Sequence, residues 1–435
     1  MQRLKHAIFA LLPLVVLPIS GALPIRQAAA PYAHELIFLF MGGFIVALSM
    51  ERWGLHRRIA LAALRGGAAS PRIVVGRFML VTAGLSMWVS NTATTLMMLP
   101  IALSVIELMT RPDDEGADPG SERLASCLLL GIAYGASIGG IGTLIGTPPN
   151  LFLASFVTSE LGIEISFVRW MLIGVPLVAV FLPLARLLLT RVLFPIGRER
   201  IEGIEEHIAF QRASLGPMSR GERTTLAVFA AMAAAWIGRP VLVELGATGL
   251  TDAGIAIAAA LALFVIPVNA REREFTMDWE TAVRLPWGVL ILFGGGLSLA
   301  AAIRSNGVGE FLGAQVGALS SVPAPIIVIA AVALVIFLTE LTSNTATTAT
   351  LLPILAGLAP ALGLPPLLLL VPVAIAASCA FMLPVATPPN AVVFSSGRIP
   401  MPVMIRAGLW LNLLGIALIP TLAYLVARPV LGIGG

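Results

Sequence analysis

Long apolar stretches recur along the chain, and short polar links rich in arginine separate them. Most are near the roughly 20 residues that a helix needs to cross a bilayer, and together they predict about nine transmembrane spans. Two segments with a polar centre, residues 71–109 and 323–361, do not fit this pattern. As a single helix each would be longer than about 50 Å, whereas the hydrocarbon core is roughly 30 Å thick. Each is therefore predicted to be a re-entrant hairpin of two half-helices.

An internal repeat relates these two hairpins. The Ser-Asn-Thr cluster at residues 90–92 reappears at 343–345, an offset of 253, and Thr-Pro-Pro-Asn at 147–150 reappears at 387–390, an offset of 240. Because proline lacks an N–H and clashes with the preceding turn, each Pro-Pro pair predicts a broken helix. Glycine pairs recur as well and are interpreted as helix-packing surfaces. The two halves are copies of one unit.

Arginine placement predicts the orientation. Residues 52–77 and 191–223 hold six arginines each, and cytoplasmic loops carry an excess of positive residues. The chain is therefore predicted to be a multi-pass protein of the bacterial plasma membrane with a cytoplasmic N-terminus. The apolar run before three alanines at 28–30 resembles a cleavable signal peptide. A retained span from Ala7 to Leu23 is favoured, because the repeat supplies a partner for it.

These features predict an all-α polytopic membrane protein in which the two hairpins enter from opposite faces, so that the repeats have inverted topology. Paired discontinuous helices of this kind are typical of secondary transporters. The predicted parts are a first repeat at 1–195, a cytoplasmic linker at 196–223 and a second repeat at 224–435. The broken helices are predicted at 123–159 and 365–395.

Composition supports a membrane protein, because 58% of the residues are hydrophobic and only 11% are charged, against about 25% charged residues in soluble domains. The formal net charge of +4 comes mainly from arginines in the links. That is a topology pattern, so it predicts no nucleic-acid partner. Cys127 and Cys379 lie inside apolar segments and are interpreted as buried small side chains.

The polar clusters predict an anion site. Helix N-termini that follow a break carry partial positive charge and free N–H groups, and each hairpin contributes one from its own side. Residues 78–110, 124–159 and 323–397 contain no Arg, Lys or His, so an anion bound there meets no fixed cation. Bound Na⁺ is the natural complement, because carbonyl groups freed at helix breaks can ligate it. The sequence therefore predicts Na⁺-coupled transport of a small anion with two separated carboxylates.

The two Ser-Asn-Thr clusters and the two Thr-Pro-Pro-Asn breaks resemble, in order and over nearly the whole chain, the signature motifs of the divalent anion:sodium symporter family. The resemblance implies a homodimer in membrane lipid, an elevator motion of a transport domain against a scaffold, and a dicarboxylate substrate such as succinate or malate. It implies substrate contacts from Asn91, Thr92, Thr147, Pro148, Asn344, Thr345, Thr387 and Pro388. It also implies one Na⁺ site at Ser86, Ser90, Asn91 and Gly146, and a second at Thr339, Thr342, Asn344 and Ala386.

Three other interpretations stay open. Gly-Ala-Ser-Ile-Gly at 135–139 matches the nucleophile elbow of a serine hydrolase, with Ser137 as nucleophile, although that motif needs a strand-turn-helix context and a base. Glu340 is the only acid within 323–361, and an intramembrane acid could carry the coupling proton of a proton-coupled or exchange-type transporter for citrate or sulfate. A channel is the third, although conduction needs weak sites along an open path.

Overall fold

The computed structural model describes residues 8–65, 70–109, 119–197, 203–308, 311 and 322–432. Its regular structure is helical apart from two short antiparallel strands, β1 (Pro267–Asn269) and β2 (Glu274–Phe275). This confirms the predicted all-α class. Among the described residues, seven helices are long and apolar enough to cross a membrane, and the figure of about nine spans stays a prediction.

The first half of the chain begins with two short helices and a 3₁₀ turn (Ala30–Ala33) and continues with seven longer ones. The helices are α1 (Pro13–Ile19), α2 (Ile25–Ala29), α3 (Glu35–Arg52), α4 (Leu55–Ala63), α5 (Pro71–Ser86), α6 (Asn91–Met109), α7 (Pro119–Gly140), α8 (Pro148–Leu161) and α9 (Phe167–Leu187). The expected first span contains only a short helix here: Pro13 begins α1, Pro18 lies inside it, and it ends at Ile19. The first residue of the expected span, Ala7, lies outside the described residues.

The rest of the chain begins with α10, which lies in the linker, and continues with the second half. Its helices are α10 (Ile204–Ala213), α11 (Arg220–Glu244), α12 (Asp252–Val265), α13 (Trp279–Ala282), α14 (Trp287–Ser305), α15 (Ala324–Thr339), α16 (Asn344–Leu358), α17 (Pro366–Ala377), α18 (Pro388–Phe394), α19 (Met401–Leu422) and α20 (Arg428–Leu431). A capping box begins α11: Ser219 Oγ accepts from the N–H of Glu222 at 3.1 Å, and Glu222 Oε2 accepts from the N–H of Ser219 at 2.7 Å. These bonds satisfy amides that a helix start leaves unpaired.

Four interruptions separate the helices that matter for function. Residues 87–90 separate α5 from α6, and residues 340–343 separate α15 from α16. Residues 141–147 separate α7 from α8, and residues 378–387 separate α17 from α18. The first residues of α5 and α6 stand 253 positions before those of α15 and α16, as in the sequence repeat. Re-entrance of each pair from one side of the membrane stays a prediction.

Helix α7 is the most deeply buried of the long helices, and it packs against α5, α6, α9 and α18. Its contact with α5 depends on two glycines. An ideal Cβ on Gly139 would lie 2.3 Å from the carbonyl oxygen of Ala83, and one on Gly135 would lie 2.9 Å from that of Met79. Since real Cβ atoms do not approach this closely, glycine is required, and the backbones of α5 and α7 touch.

The two repeats pack into one another around their breaks. Helix α16 packs against α8, and α18 packs against α6 and α7. A Cβ on Gly296 of α14 would lie 2.7 Å from the Phe152 ring of α8 and 2.8 Å from Ala349 Cβ of α16, and a Cβ on Gly42 would lie 2.6 Å from the backbone of Ala256. The recurring glycines are therefore packing surfaces, as predicted.

Candidate functional site

The first polar cluster forms where α5 ends and α6 begins. Ser86 ends α5, and its hydroxyl donates to the side-chain oxygen of Asn91, which begins α6. Thr95 donates to the main-chain oxygen of Asn91 at 2.7 Å. An ideal Cβ on Gly140 would lie 2.8 Å from Asn91 Oδ1 and 3.0 Å from the carbonyl oxygen of Gly146. Three residues of the first predicted Na⁺ site, Ser86, Asn91 and Gly146, therefore lie close together.

Two further predicted residues flank Asn91. Ser90 lies in the link before α6, and its carbonyl oxygen accepts from the N–H of Thr94 at 2.9 Å, in the first turn of that helix. The side chains of Ser90 and Thr92 are both half-buried. Thr92 stands in the first turn of α6, where amides without helical partners can meet an anion.

The second cluster repeats this arrangement where α15 ends and α16 begins. The Thr339 hydroxyl lies 2.8 Å from Asn344 Oδ1 and 3.1 Å from the carbonyl oxygen of Ala377 at the end of α17. Thr348 donates to the main-chain oxygen of Asn344 at 2.8 Å. Thr345 follows Asn344 and is buried. Two residues of the second predicted Na⁺ site, Thr339 and Asn344, are therefore in contact.

The other two residues of that predicted site lie differently. Thr342 is exposed, and its hydroxyl donates to the Leu338 carbonyl at 2.8 Å and lies 2.6 Å from Thr347 Oγ1. Ala386 is buried in the second break, where its N–H donates to the carbonyl of Leu383 at 3.2 Å. No described hydrogen bond joins Thr342 or Ala386 to Thr339 or to Asn344.

Asparagines of the Thr-Pro-Pro-Asn motifs hold the two breaks. Asn150 donates through Nδ2 to three carbonyl oxygens of the first break, at 2.8 to 3.2 Å. Asn390 donates in the same way to two carbonyl oxygens of the second break, at 3.0 and 3.2 Å. Both are fully buried. Neither asparagine is among the predicted site residues, although their recurrence in the motif was the available sequence signal.

The threonines and prolines of the same motifs mark the starts of α8 and α18. Thr147 Oγ1 lies 3.3 Å from Ser378 Oγ, a hydrogen bond between the two repeats. Thr387 instead caps α18, accepting from an N–H of its first turn at 3.3 Å. Pro148 is half-buried and Pro388 is exposed. Ser378 was missed because its repeat mate is an isoleucine, so no repeated pattern marks it.

Glu340 lies in the link between α15 and α16 and is buried. Its Oε1 accepts from the N–H groups of Phe381 and Met382 at 2.7 and 2.9 Å and from Nδ2 of Asn412 at 2.8 Å, and its Oε2 accepts from the N–H of Leu383 at 3.0 Å. All four partners are donors, so the arrangement suits the ionised carboxylate. Glu340 therefore joins one helix tip to the neighbouring break.

Apart from the Glu340 carboxylate at the second break, the described oxygen atoms of the site are neutral. No group of three or more His, Cys, Asp or Glu side chains that could hold a metal ion occurs in the part of the chain that the structure describes. Hydroxyl, amide and carbonyl oxygens surround the breaks instead, and such ligands suit an alkali-metal ion at a discontinuous helix.

The predicted nucleophile elbow is part of a helix. Ser137 is buried inside α7, between the two glycines that touch α5, and its hydroxyl has no hydrogen-bond partner among the described residues. A nucleophile elbow needs a sharp turn from a strand to a helix, and residues 135–139 form continuous helix. The motif is a packing surface, so the hydrolase interpretation was wrong.

Helix breaks from two repeats that contact each other inside a polytopic helical protein are typical of secondary transporters. The chain belongs to the family described as the sodium:sulfate symporter transmembrane region, whose sequence model matches residues 1–433. This confirms the family resemblance drawn from the Ser-Asn-Thr and Thr-Pro-Pro-Asn motifs.

Known relatives are similar over nearly the full chain. The sodium-dependent dicarboxylate transporter SdcS of Staphylococcus saprophyticus is 43% identical over 437 residues, covering 99% of this chain and 84% of the relative. SdcS of Staphylococcus aureus has the same identity and coverage. The family description and both names specify sodium, in agreement with the predicted coupling ion, Na⁺.

Solved structures share the fold at low sequence identity. The YdaH transporter of Alcanivorax borkumensis, described as having an unusual topology, matches with a TM-score of 0.62 at 14% identity, covering 99% of this chain and 98% of that one. MtrF of Neisseria gonorrhoeae, from a class of antimetabolite efflux pumps, matches with a TM-score of 0.62 at 13% identity, covering 97% and 86%. These likenesses concern the fold alone.

Proposed function

We propose that this protein is a Na⁺-coupled symporter that carries small divalent carboxylate anions, with C4-dicarboxylates such as succinate or malate as the preferred substrates. The observation that supports this most is the repeated hydroxyl–asparagine pair, Ser86 with Asn91 and Thr339 with Asn344, at the starts of α6 and α16. The relatives named as sodium-dependent dicarboxylate transporters support the same substrate class.

The anion is held by helix N-termini and hydroxyls. The first turns of α6 and α16 offer N–H groups and positive dipole ends, which favour a carboxylate. The Pro-Pro pairs that begin α8 and α18 have no N–H, so these two helices contribute their dipole ends and the threonines that precede them. Thr92 and Thr345 stand in the first turns of α6 and α16, and Thr147 and Thr387 precede α8 and α18. Four helix starts, two from each repeat, suit an anion with two carboxylates. The contact of Thr147 with Ser378 supports one shared site between the repeats.

Sodium compensates the charge of the bound dianion. Asn91 Oδ1 and Asn344 Oδ1 each already face a hydroxyl oxygen, so an ion that enters one of these pairs finds two ligands from opposite sides of a helix break. Binding there fixes the start of the following helix, whose amides hold the anion. Because a dianion at neutral dipoles alone is poorly compensated in a low-dielectric site, ion and substrate bind together.

The movement that carries the substrate is an elevator motion within a homodimer. In this proposal, the repeats at 1–195 and 224–435, joined by the cytoplasmic linker at 196–223, are inverted in the plasma membrane, and the N-terminus is cytoplasmic. The hairpins and broken helices form the moving unit. The mutual packing of α16 with α8, and of α18 with α6 and α7, supports a single moving body.

The surroundings of Glu340 favour sodium over proton coupling. Four donors converge on this carboxylate, and a protonated carboxyl group would turn one of its oxygens into a donor that faces them. A transport cycle that protonates Glu340 would therefore break part of the second helix junction at each turnover.

Uptake by the purified full-length protein in proteoliposomes tests the function. A panel of labelled succinate, malate, citrate and sulfate is offered with an inward Na⁺ gradient and with choline in its place. We expect saturable succinate and malate uptake that needs Na⁺, and little uptake by the Asn91→Ala, Asn344→Ala double variant. Equal uptake in choline would exclude sodium coupling, and a preference for sulfate would exclude the dicarboxylate.

A further inference from the structure

A cavity of about 380 Å³ lies between α4, α5 and α10, apart from the helix breaks. Its walls combine guanidinium groups with apolar side chains: Arg65, Arg77, Arg212, Leu64, Phe78 and Ile208. Among the described residues that line the cavity, Glu205 is the only acid. The guanidinium groups of Arg65 and Arg212 beside this one acid, next to apolar side chains, match the chemistry of an amphipathic anion.

The position of the cavity places it at a membrane surface. Helix α4 is short and amphipathic: it buries Leu55, Ala60 and Leu61, whereas Arg57 is exposed. The arginine-rich loops that contain α4 and α10 belong to the side assigned to the cytoplasm. The cavity therefore lies at the level of the lipid headgroups in the orientation proposed above.

Exposed apolar side chains border the same region. Ile73 and Leu80 of α5 are 43% and 65% exposed, as expected for a helix face that meets lipid. Phe210 of α10 is 73% exposed, although α10 is a polar linker helix. An exposed phenylalanine on such a helix is typical of an element that rests on the bilayer surface.

We propose that this cavity binds an anionic phospholipid of the inner leaflet. Arg65 and Arg212 bind the phosphate, since a guanidinium group presents parallel N–H donors that match its oxygens. The acyl chains lie against the exposed apolar side chains of α5, Ile73 and Leu80. Basic pockets between membrane helices on the cytoplasmic side are suited to such headgroups, and an uncharged headgroup gains none of this attraction.

The lipid would add a bridge among three elements, of which α4 already packs against both α5 and α10. Helix α4 links α3 to the first hairpin, α5 begins that hairpin, and α10 belongs to the linker between the repeats. Occupancy therefore fixes the cytoplasmic end of α5 relative to the linker. This role is separate from the proposed substrate site, and it does not depend on which anion is transported.

Native mass spectrometry of the purified full-length protein tests the site. The delipidated protein is titrated with dioleoyl phosphatidylglycerol, with dioleoyl phosphatidylcholine and with free glycerol 3-phosphate. We expect wild-type protein to retain phosphatidylglycerol in preference to phosphatidylcholine. The double variant Arg65→Gln, Arg212→Gln should bind phosphatidylglycerol roughly 30-fold more weakly, because each arginine near an anionic lipid contributes about fivefold.

Matched variants separate the site from general surface charge. Arg57→Gln removes an exposed arginine from the same helix α4 outside the cavity, and it should leave retention unchanged. Ala209→Trp fills the cavity from α10 and should lower retention without removing charge. Equal retention of phosphatidylglycerol by wild type and the double variant would overturn the proposal. So would equal binding of both lipids, or glycerol 3-phosphate binding as tightly as the lipid, which would indicate a soluble anion.

Discussion

The two repeats contain the same set of polar contacts, but they differ in how each helix tip is connected to the neighbouring break. In both, a hydroxyl at the end of one helix contacts the asparagine that begins the next, and a threonine four residues later donates to the carbonyl of that asparagine. In both, a buried asparagine holds the carbonyls of the nearby break. The elements that differ are those that connect the helix tip to this break.

In the first repeat, the hydroxyl of Thr143 makes that connection by donating to the carbonyl oxygen of Met87. In the second repeat, Glu340, the repeat mate of Met87, makes it by accepting from three consecutive amides and from Asn412. One neutral hydrogen bond is thus replaced by four charge-assisted ones. We therefore expect the groups shared by the repeats to bind the transported ligands, and the unshared groups to set how firmly each helix tip is held.

The packing around the two helix tips also differs, and here the first tip is the more closely packed one. Trp88 at the first tip packs against Phe167 and Phe229, with ring centroids 5.8 and 5.2 Å apart. At the second tip and its break, Leu341 and Val385 are 77% and 83% exposed. The first tip is held by aromatic packing and the second by a buried carboxylate. The open second tip therefore depends on Glu340 more than the first depends on any one side chain.

The largest effect is expected from Glu340→Ala. This change leaves Asn412 and three backbone amides, one buried and two partly buried, without their acceptor. The cost is about 4 kcal/mol, since each unsatisfied buried donor costs roughly 1–3 kcal/mol. We expect uptake to be lost and the melting temperature of the detergent-purified protein to fall. Glu280→Ala, at an exposed acid of α13, is the control and should resemble wild type.

Glu340→Gln then distinguishes a structural from a proton-carrying role. The amide keeps the shape but presents a donor to at least one N–H group, so uptake should fall while its pH profile keeps the wild-type form. A changed pH profile with an unchanged melting temperature would instead show that the carboxyl group exchanges the coupling proton.

A second, intermediate effect is expected from Asn91→Ala and Asn344→Ala taken singly. Each removes the oxygen that faces Ser86 or Thr339, and with it a proposed ligand of Na⁺. Loss of one hydrogen bond to a charged group corresponds to about 2 kcal/mol, or roughly 30-fold in apparent Na⁺ affinity. Uptake at varied Na⁺ concentrations measures this. If only one of the two variants changes the Na⁺ dependence, the repeats do not share the ion chemistry.

A smaller effect is expected from Thr143→Val. The substitution removes the hydroxyl that donates to Met87 and accepts from the N–H of Gly146 at 3.1 Å, while it keeps the volume. The loss should be about 1–2 kcal/mol, measured as a shift in melting temperature. A destabilisation as large as that of Glu340→Ala would contradict the difference between the two junctions.

The smallest effect is expected at the contact between the repeats. Thr147→Val and Ser378→Ala, combined in a double-mutant cycle on apparent substrate affinity, should give a coupling energy of about 0.5–1 kcal/mol for their single hydrogen bond. Additive effects would mean that this contact plays no part in substrate binding. The conservative Thr147→Ser variant, which keeps the hydroxyl, should retain most of the affinity.

The sequence repeat predicted the helix breaks because exact recurrence of Ser-Asn-Thr and of Pro-Pro marks positions where backbone geometry demands particular residues. The family resemblance, and not the repeat alone, supplied the pairs of Ser86 with Asn91 and of Thr339 with Asn344. The repeat gave no sign of the contact made by Ser378 or of the donors around Glu340, because both residues are unmatched in the other half. Which donors surround a lone carboxylate depends on tertiary packing, and no local pattern encodes that.

The glycine contact between α7 and α5 has a mechanical consequence. With Gly139 seated against the main chain of Ala83, neither helix can slide along the other without driving a carbonyl into a Cα. We therefore expect α5 and α7 to move as one rigid unit in any transport motion, together with Ser86, Asn91 and the neighbouring break. Any side chain at position 139 would push the two helices apart.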